Sequence, residues 1–404
     1  MPHNEVDCAM TRTASIAGMS GKGTADRSIA GLRISETIIK RFIGGGLLVG
    51  TLAILPIQAT ADDNHAFLPA GFIDVSTLAS NGDQNPYGVA FVPAGFPAGG
   101  PLSPGDILVS NFNNAGTAPA GNIQGTGTTI TRVAPDGETS TFFTGVFQSP
   151  TDGGLTTALG VLKRGFVVVG QLPNSNGTAE PGSLLFLDKN GTEVLKYTNL
   201  QGPWDLAIDD DFDHAKIFVS NVLSGTVVRL DVTISPSTVT VNSVTEIAHG
   251  YGFTTNQAAF VVGPTGLAFD EERDVLYVAS SVDNEIFKIQ HAEATNISVL
   301  QGDLVYNDPV HLHNPLGLAL TPNGHLLTAN GDSLNPPVAP QLPSQIVEFT
   351  KDGHFVGELS VDSNAGAAFG IAVERKSHDT ARLAAVNDDD NTIIVLRLNA
   401  GNSE

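Results

Sequence analysis

The chain has very little cysteine and few charged residues for its length. Its 404 residues include one Cys, which excludes a scaffold held by disulfides. Charged residues make up 15%, against roughly 25% in an ordinary soluble domain, and 20 Lys and Arg face 42 Asp and Glu. Nucleic-acid binding is disfavoured because phosphate contacts require clustered basic side chains. With 44 Gly and 23 Pro, the composition also argues against a helical bundle.

The first 61 residues have the pattern of a secretory signal peptide with a long N-terminal extension. Two basic residues at 40–41 precede an apolar run, 42–57, and a small-residue Ala-Thr-Ala motif ends at Ala61. An uncleaved membrane anchor is the alternative, but the run is short and rich in Gly. Cleavage would remove four acidic and six basic residues and the single Cys. The predicted mature chain, 62–404, is therefore periplasmic or secreted, has no membrane span and carries 38 acidic against 14 basic residues, a charge of −24.

A short pattern recurs six times in the mature chain. Each copy has a turn, then Gly or Asp, then an apolar strand, and these Gly or Asp positions are Gly88, Gly160, Asp205, Gly266, Gly317 and Gly370. A second and a third apolar strand follow each copy, with Asp-Gly or Asn-Gly hairpin turns between strands. The repeats predict an all-β protein, a six-bladed β-propeller of four-stranded antiparallel blades in a single domain.

The two ends of the repeat predict how the ring closes. The sixth unit has three strands, and an additional strand, residues 72–78, precedes the first unit. Pairing of this N-terminal strand with the last blade would complete that blade and cover an exposed sheet edge.

The units resemble the six-bladed propellers of the NHL-repeat and gluconolactonase families. The resemblance rests on the motif P-x-G-L-A-F followed by L-Y-V-A-S and E-I-F-K-I strands, is best at residues 264–290 and covers about 67–399. It implies that residue x and the last residue of the second strand face the top of the central channel. From the gluconolactonase-like enzymes it also implies a divalent cation, held there by acidic and Asn side chains.

The x positions lack ligands for such a cation. They are Tyr87, Leu159, Trp204, Thr265, Leu316 and Phe369, without a carboxylate, amide or imidazole among them. The metal site of the lactonases therefore does not carry over at these positions. Two interpretations stay open: Tyr87, Trp204 and Phe369 line a pocket for a flat or apolar ligand, or the ring is a hydrophobic plug.

Four of the second strands end in Asn. These residues are Asn111, Asn221, Asn330 and Asn387. Placed in one ring, their amides could bind a polar ligand. Alternatively, they bond only to the backbone of the adjacent loops, as Asn side chains commonly do.

A His-x-His pair is the candidate for a divalent metal. His311 and His313 can present two imidazoles on one side of an extended segment, and His249 or Asp388 could supply a further ligand. The alternative for the Asp388 loop is an exposed acidic loop. Denser acidic runs at 209–211 and 270–272 fall in hairpins at the opposite face, where solvation explains them.

Two function classes follow. The first is an extracytoplasmic, monomeric binding or scaffold propeller whose small-molecule or protein partner binds at the top of the channel. The second is a metal-dependent hydrolase or lyase, similar to the lactonases, in which the cation polarises a carbonyl or activates water. The absence of a recognisable catalytic motif favours the first.

Overall fold

The computed structural model describes residues 73–115, 124–145, 154–175, 177–256, 260–331, 344–377 and 380–399. The regular elements in these ranges are 28 strands, numbered β1–β28 in chain order. The predicted signal peptide, 1–61, lies outside the described residues. Within those ranges, no helix has the length and hydrophobicity needed to cross a membrane.

Six antiparallel four-stranded sheets form the blades, and two short hairpins lie between them. Blade 1 is β2 (Gln84–Phe91), β3 (Ile107–Asn113), β4 (Thr129–Val133) and β5 (Thr139–Thr144). Blade 2 is β6 (Gly154–Leu162), β7 (Phe166–Leu172), β10 (Gly182–Asp188) and β11 (Glu193–Leu200). Blade 3 is β12 (Pro203–Asp210), β13 (His214–Asn221), β14 (Thr226–Ile234) and β15 (Val239–His249). The hairpins are β8 (Asn174–Ser175) with β9 (Thr178–Ala179) and β16 (Thr254–Asn256) with β17 (Phe260–Val262).

The remaining three blades follow the same order. Blade 4 is β18 (Pro264–Asp270), β19 (Val275–Ser280), β20 (Glu285–Gln290) and β21 (Asp303–Tyr306). Blade 5 is β22 (Pro315–Leu320), β23 (Leu326–Asn330), β24 (Ser344–Phe349) and β25 (Phe355–Asp362). Blade 6 is β26 (Ala368–Arg375), β27 (Thr380–Asn387), β28 (Thr392–Asn399) and β1 (Ile73–Ser76). The first strand of each blade contacts the first strands of both neighbours, including β26 with β2, so the ring is closed. The predicted six-bladed propeller is confirmed.

The closure of the ring is also as predicted. Strand β1 pairs antiparallel with β28, with Ile73 opposite Val395 and Ser76 opposite Thr392. Beyond the strand, the Thr77 N–H donates to the Asn391 carbonyl at 2.9 Å. Blade 6 therefore takes its outer strand from the N-terminal side of the chain, which covers the edge that β28 would otherwise expose.

Close approach of the inner strands explains the repeated glycine. A Cβ on Gly370 would collide with the carbonyl oxygen of Tyr87 in blade 1, and one on Gly266 would collide with that of Leu316 in blade 5. Each of these contacts joins neighbouring inner strands through backbone atoms, which have no room to move. The Gly positions therefore set the width of the ring at this level.

The hydrophobic core lies between neighbouring blades. Between blades 2 and 3, for example, Phe166 and Val168 of β7 pack in one buried cluster with Ile217 and Val219 of β13. All four side chains are at most 1% exposed. Full burial of such a side chain contributes about 1.5–3 kcal/mol, so the blade-to-blade contacts hold the inner strands in place around the axis.

Candidate functional site

An aromatic plug closes the channel at the end where the inner strands begin. Tyr87, Trp204 and Phe369, the three aromatic residues predicted at x positions, belong to one buried cluster and are 1%, 1% and 6% exposed. The rings of Tyr87 and Phe369 stack at 4.2 Å between centroids, and the edge of Trp204 meets Tyr87 at 5.8 Å. The structure therefore brings these residues together as a packed plug, and binding of a ligand by them stays a prediction.

Two further aromatic side chains complete the plug. Phe112 stacks on Tyr87 at 4.3 Å and contacts Trp204 edge-on at 5.6 Å, and Phe260 lies 6.2 Å from Phe112. Phe112 directly follows Asn111 in the second strand of blade 1. The repeat pattern ends at Asn111 and therefore gives no signal for Phe112.

Asp388 lies beside the plug and carries an unusual carboxyl group. Burial raises the pKa of Asp388 well above its ordinary range, and the nearby carboxylates of Asp389 and Asp362 act in the same direction. Its Oδ1 is buried without a hydrogen-bond partner. Burial also raises the pKa of the Tyr87 hydroxyl, and the charge of Asp388 adds to that effect. The Asp388 carboxyl is therefore largely enclosed, whereas Asp389 and Asp390 of the same loop are exposed.

The four predicted Asn residues make local hydrogen bonds. Asn330 accepts from the His313 N–H at 2.9 Å and donates to the His311 carbonyl at 2.8 Å. Asn221 accepts from the Gln201 N–H at 3.1 Å. These contacts hold the loop that enters the neighbouring inner strand.

The other two Asn residues keep one amide oxygen unpartnered. Asn111 donates to Thr129 Oγ1 at 3.1 Å, and Asn387 donates to Asp362 Oδ2 at 2.9 Å. Both side chains are at most 3% exposed, and the Oδ1 of each is buried without a partner. In the other pair, Asn221 and Asn330, both the oxygen and the nitrogen of the amide are engaged. Ligand binding by the ring of four Asn stays a prediction.

The predicted metal ligands are not brought together. His311 Nδ1 lies 2.6 Å from Asp308 Oδ2, and its ring stacks on Phe355 at 3.7 Å. His313 is buried, with its Nε2 3.0 Å from the Val310 carbonyl. His249, the third predicted histidine, instead has its Nδ1 2.8 Å from the Ser298 hydroxyl.

The three histidines therefore have different partners, and a metal site formed by His311, His313, His249 and Asp388 stays a prediction. In the part of the chain that the structure describes, no group of three or more His, Cys, Asp or Glu side chains is placed to hold a metal ion. The His-x-His spacing is correct for two ligands, but each imidazole takes a partner within its own loop.

A cavity of about 330 Å³ lies on the other side of the plug. Its wall consists of consecutive residues from all six inner strands: 89–90, 159–161, 205–208, 267–269, 318–320 and 371–373. Each inner strand is hydrogen-bonded on one side only, so its free backbone edge faces the axis. Phe269, Leu320 and Val373 also line a surface depression of about 360 Å³, where the cavity meets the open end of the channel.

Asp205 is the one residue with a polar side chain in this wall. Its Oδ1 accepts from the Leu206 N–H at 2.8 Å, and its Oδ2 accepts from the Leu267 N–H of blade 4 at 3.1 Å. The residue is partly exposed, and the surrounding protein desolvates its carboxyl group. This desolvation raises the pKa of Asp205 to about 8, although both backbone hydrogen bonds act to lower it. Near neutral pH the group is therefore poised between a neutral acid and a carboxylate.

The sequence distinguishes Asp205 from the equivalent residues of the other blades, but the repeat pattern alone does not show its role. Five of the six equivalent positions are Gly, where a Cβ would collide with neighbouring atoms, and only blade 3 has a side chain. A side chain at a position where close packing otherwise requires Gly indicates that the residue has a role other than packing. Without the structure, however, nothing shows that the carboxyl points into a cavity.

The open end of the channel is rich in acidic groups. Burial raises the pKa of Asp209, at the end of β12, and the charges of Glu271 and Asp211 raise it further. Asp270 has charged partners, Lys351 at 2.5 Å and Arg273 at 3.0 Å. The surface around blades 3 and 4 thus places several carboxylates close enough to repel one another.

Comparison with known proteins assigns no activity to this chain. No family model and no curated protein matches the chain. Similar solved structures include a gluconolactonase from Xanthomonas campestris (14% identity, 82% of this chain and 99% of that chain, TM-score 0.45). A second is the calcium-binding protein regucalcin from Agrobacterium tumefaciens, with 10% identity over 83% of this chain and 98% of that chain and a TM-score of 0.45. A third is an inactive virginiamycin B lyase from Staphylococcus aureus with quinupristin, with 13% identity over 82% of this chain and 90% of that chain and a TM-score of 0.45. The chain has the six-bladed architecture expected from its resemblance to the gluconolactonase-like propellers.

Proposed function

We propose that this chain is an extracytoplasmic, monomeric binding propeller that takes a small ligand into its central channel from the open end. The observation that carries the proposal is the cavity of about 330 Å³, closed on one side by the plug and lined by one carboxyl group. Pockets for small molecules begin at about this volume and combine apolar walls with few, well-placed polar groups.

The position of the site differs from the one expected from the sequence. A ligand at the top of the channel would meet the buried rings of Tyr87, Trp204 and Phe369. At the open end the wall offers free backbone N–H and C=O groups along six strands, together with Asp205. Hydrogen bonding to these groups would orient a ligand without requiring any side chain to move.

Chemical access to the cavity tests this proposal. Cys8, the single native thiol, is changed to Ser, and one Cys is placed in the cavity wall by Ala372→Cys. Ala385→Cys, on the adjacent strand and fully buried, is the matched control. We expect a small methanethiosulfonate reagent to modify position 372 in the native protein much faster than position 385. Equal protection of both thiols until unfolding would show that the channel is closed and would refute the proposal.

Export and oligomeric state are tested on the same protein. If the signal is cleaved as proposed, the protein recovered outside the cytoplasm has the mass of residues 62–404. A mass that retains the apolar run would support a membrane anchor instead. Sedimentation equilibrium should give the mass of one chain, and a stable dimer would contradict the monomer.

A further inference from the structure

The cavity wall contains a carboxyl group whose hydrogen-bonding capacity is only partly used. A carboxylate offers about four acceptor sites on its two oxygens. Asp205 receives one backbone N–H on each oxygen, from Leu206 and Leu267. The residue lines the cavity and is partly exposed. A ligand in the cavity could therefore form further hydrogen bonds with the carboxyl group of Asp205.

The same carboxyl is not required for the geometry of the ring. At the equivalent level, Gly88, Gly160, Gly266, Gly317 and Gly370 leave their inner strands without any side chain. All six blades nevertheless form the same four-stranded sheet. The side chain of Asp205 is thus an addition to a ring that five glycines already form.

Acidic residues from two blades lie at the open end. The hairpin after β12 carries them at 209–211, and the turn after β18 carries them at 270–272. The pKa of Asp209 is raised in part by Glu271 and Asp211, which shows that carboxylates from both blades share one region. Arg273, Lys351 and Arg375 line the same depression, so the ligand class rests on Asp205 and the apolar wall.

We propose that the channel binds a small organic cation, a primary ammonium group on an apolar body, with the ammonium on the carboxylate of Asp205. This inference rests on the proposed function and names the ligand class of the same site. The apolar walls would take the body of the ligand, and the ammonium would donate to Asp205 and to free carbonyl groups of the inner strands.

Binding of such a cation is linked to a proton. Around Asp205, the inner strands and β13 carry the following titratable or charged residues: Tyr87, Asp209, Asp210, Asp270, Glu374, Arg375, His214 and Lys216. None of them contributes to the raised pKa of Asp205, which comes from burial. Below pH 8 the incoming ammonium displaces the carboxyl proton, which passes to the buffer. Affinity should rise about tenfold per pH unit up to the pKa and become level above it.

Calorimetric titration with two probes of the same shape tests the inference. Benzylamine and benzyl alcohol are titrated into the wild type and Asp205→Asn between pH 6 and 9, in buffers of different ionisation enthalpy. Glu193→Gln removes an exposed carboxylate on the outer strand of blade 2, away from the channel, and is the control. We expect benzylamine to bind with a Kd on the order of 1 mM at pH 8, at least about tenfold more tightly than the alcohol, and to release a proton at pH 7. Binding should be lost in Asp205→Asn and kept in Glu193→Gln.

The possible failures are distinguishable. If both probes bind equally, or benzylamine binds Asp205→Asn as well as the wild type, the proposal of a cationic ligand is refuted, while the proposal that the channel binds a ligand is not. If benzylamine does not bind at pH 8 while a Cys at position 372 reacts, the cation is again refuted and the channel remains accessible. If neither probe binds and that Cys is protected, both proposals fail.

Discussion

Replacement of Asp205 by Asn should stabilise the protein, and the gain should grow with pH. In the unfolded chain the carboxyl titrates near 3.8, whereas burial in the channel raises its pKa to about 8. Between these values the unfolded state is ionised while the folded state holds the proton. The folded state therefore binds more protons, and stability falls as pH rises through this window.

The size of the effect follows from the shift. Each unit of difference between the folded and unfolded pKa values corresponds to about 1.4 kcal/mol. From pH 5 to pH 8, Asp205 should therefore lower the free energy of unfolding by about 4 kcal/mol relative to a group that does not titrate. Above pH 8 both states are ionised and the penalty should become constant. Below pH 4 both states are protonated and the difference should stop changing with pH. A constant offset remains there, because the Asn amide has one acceptor oxygen for the two backbone N–H groups that donate to Asp205.

Urea unfolding of the wild type and Asp205→Asn from pH 4 to pH 9 measures the difference directly. Other titrating groups contribute equally to both proteins and cancel. Asp205→Gly, which restores the residue of the other five blades, should show the same pH dependence. If the difference in unfolding free energy between the two proteins changes by less than about 1 kcal/mol between pH 5 and pH 8, the raised pKa of Asp205 in the folded state is refuted.

Three further predictions concern the frame around the channel. The double change Ser76→Cys and Thr392→Cys, in a chain without its native thiol, should form a disulfide because the two residues are direct partners in β1 and β28. The disulfide should stabilise the ring by about 2–5 kcal/mol. A melting temperature unaffected by reductant would contradict the closure. Trp204→Ala should cost about 3–5 kcal/mol in urea unfolding, whereas Trp204→Phe should cost less than about 1.5 because the Trp204 Nε1–H is buried without a partner; equal losses would argue against the plug. Gly370→Ala should cost about 3 kcal/mol by the same assay, since its methyl group would collide with the Tyr87 carbonyl; a neutral result would refute the close approach.

The repeat carried most of the information about the fold. The turn and Gly before each inner strand, and the apolar strands after it, predicted six blades because those residues report local turns and close packing. The missing strand of blade 6 and the strand at 72–78 also predicted the closure, which β1 and β28 show in register. Such features are repeated in sequence, so one chain is enough to recognise them.

The site was less predictable because it depends on residues that break the repeat. His311 and His313 have the spacing of metal ligands, but the sequence does not show that Asp308 and the Val310 carbonyl lie closer to them. Asp205 occupies a Gly position, yet its meaning depends on a cavity formed by all six blades. Contacts between distant segments decided both cases, and no local pattern reports them.

Carbon-13 NMR of the Asp205 carboxyl shows whether the channel contains a desolvated acid that binds an amine. The carboxyl resonance is assigned by its absence in Asp205→Asn and is followed with pH, first alone and then with benzylamine. We expect titration near pH 8 in the free protein and a lower apparent pKa when the amine is present. Titration near pH 4, unaffected by benzylamine, would show a solvated carboxyl without a ligand and would refute both the raised pKa and the binding of the amine.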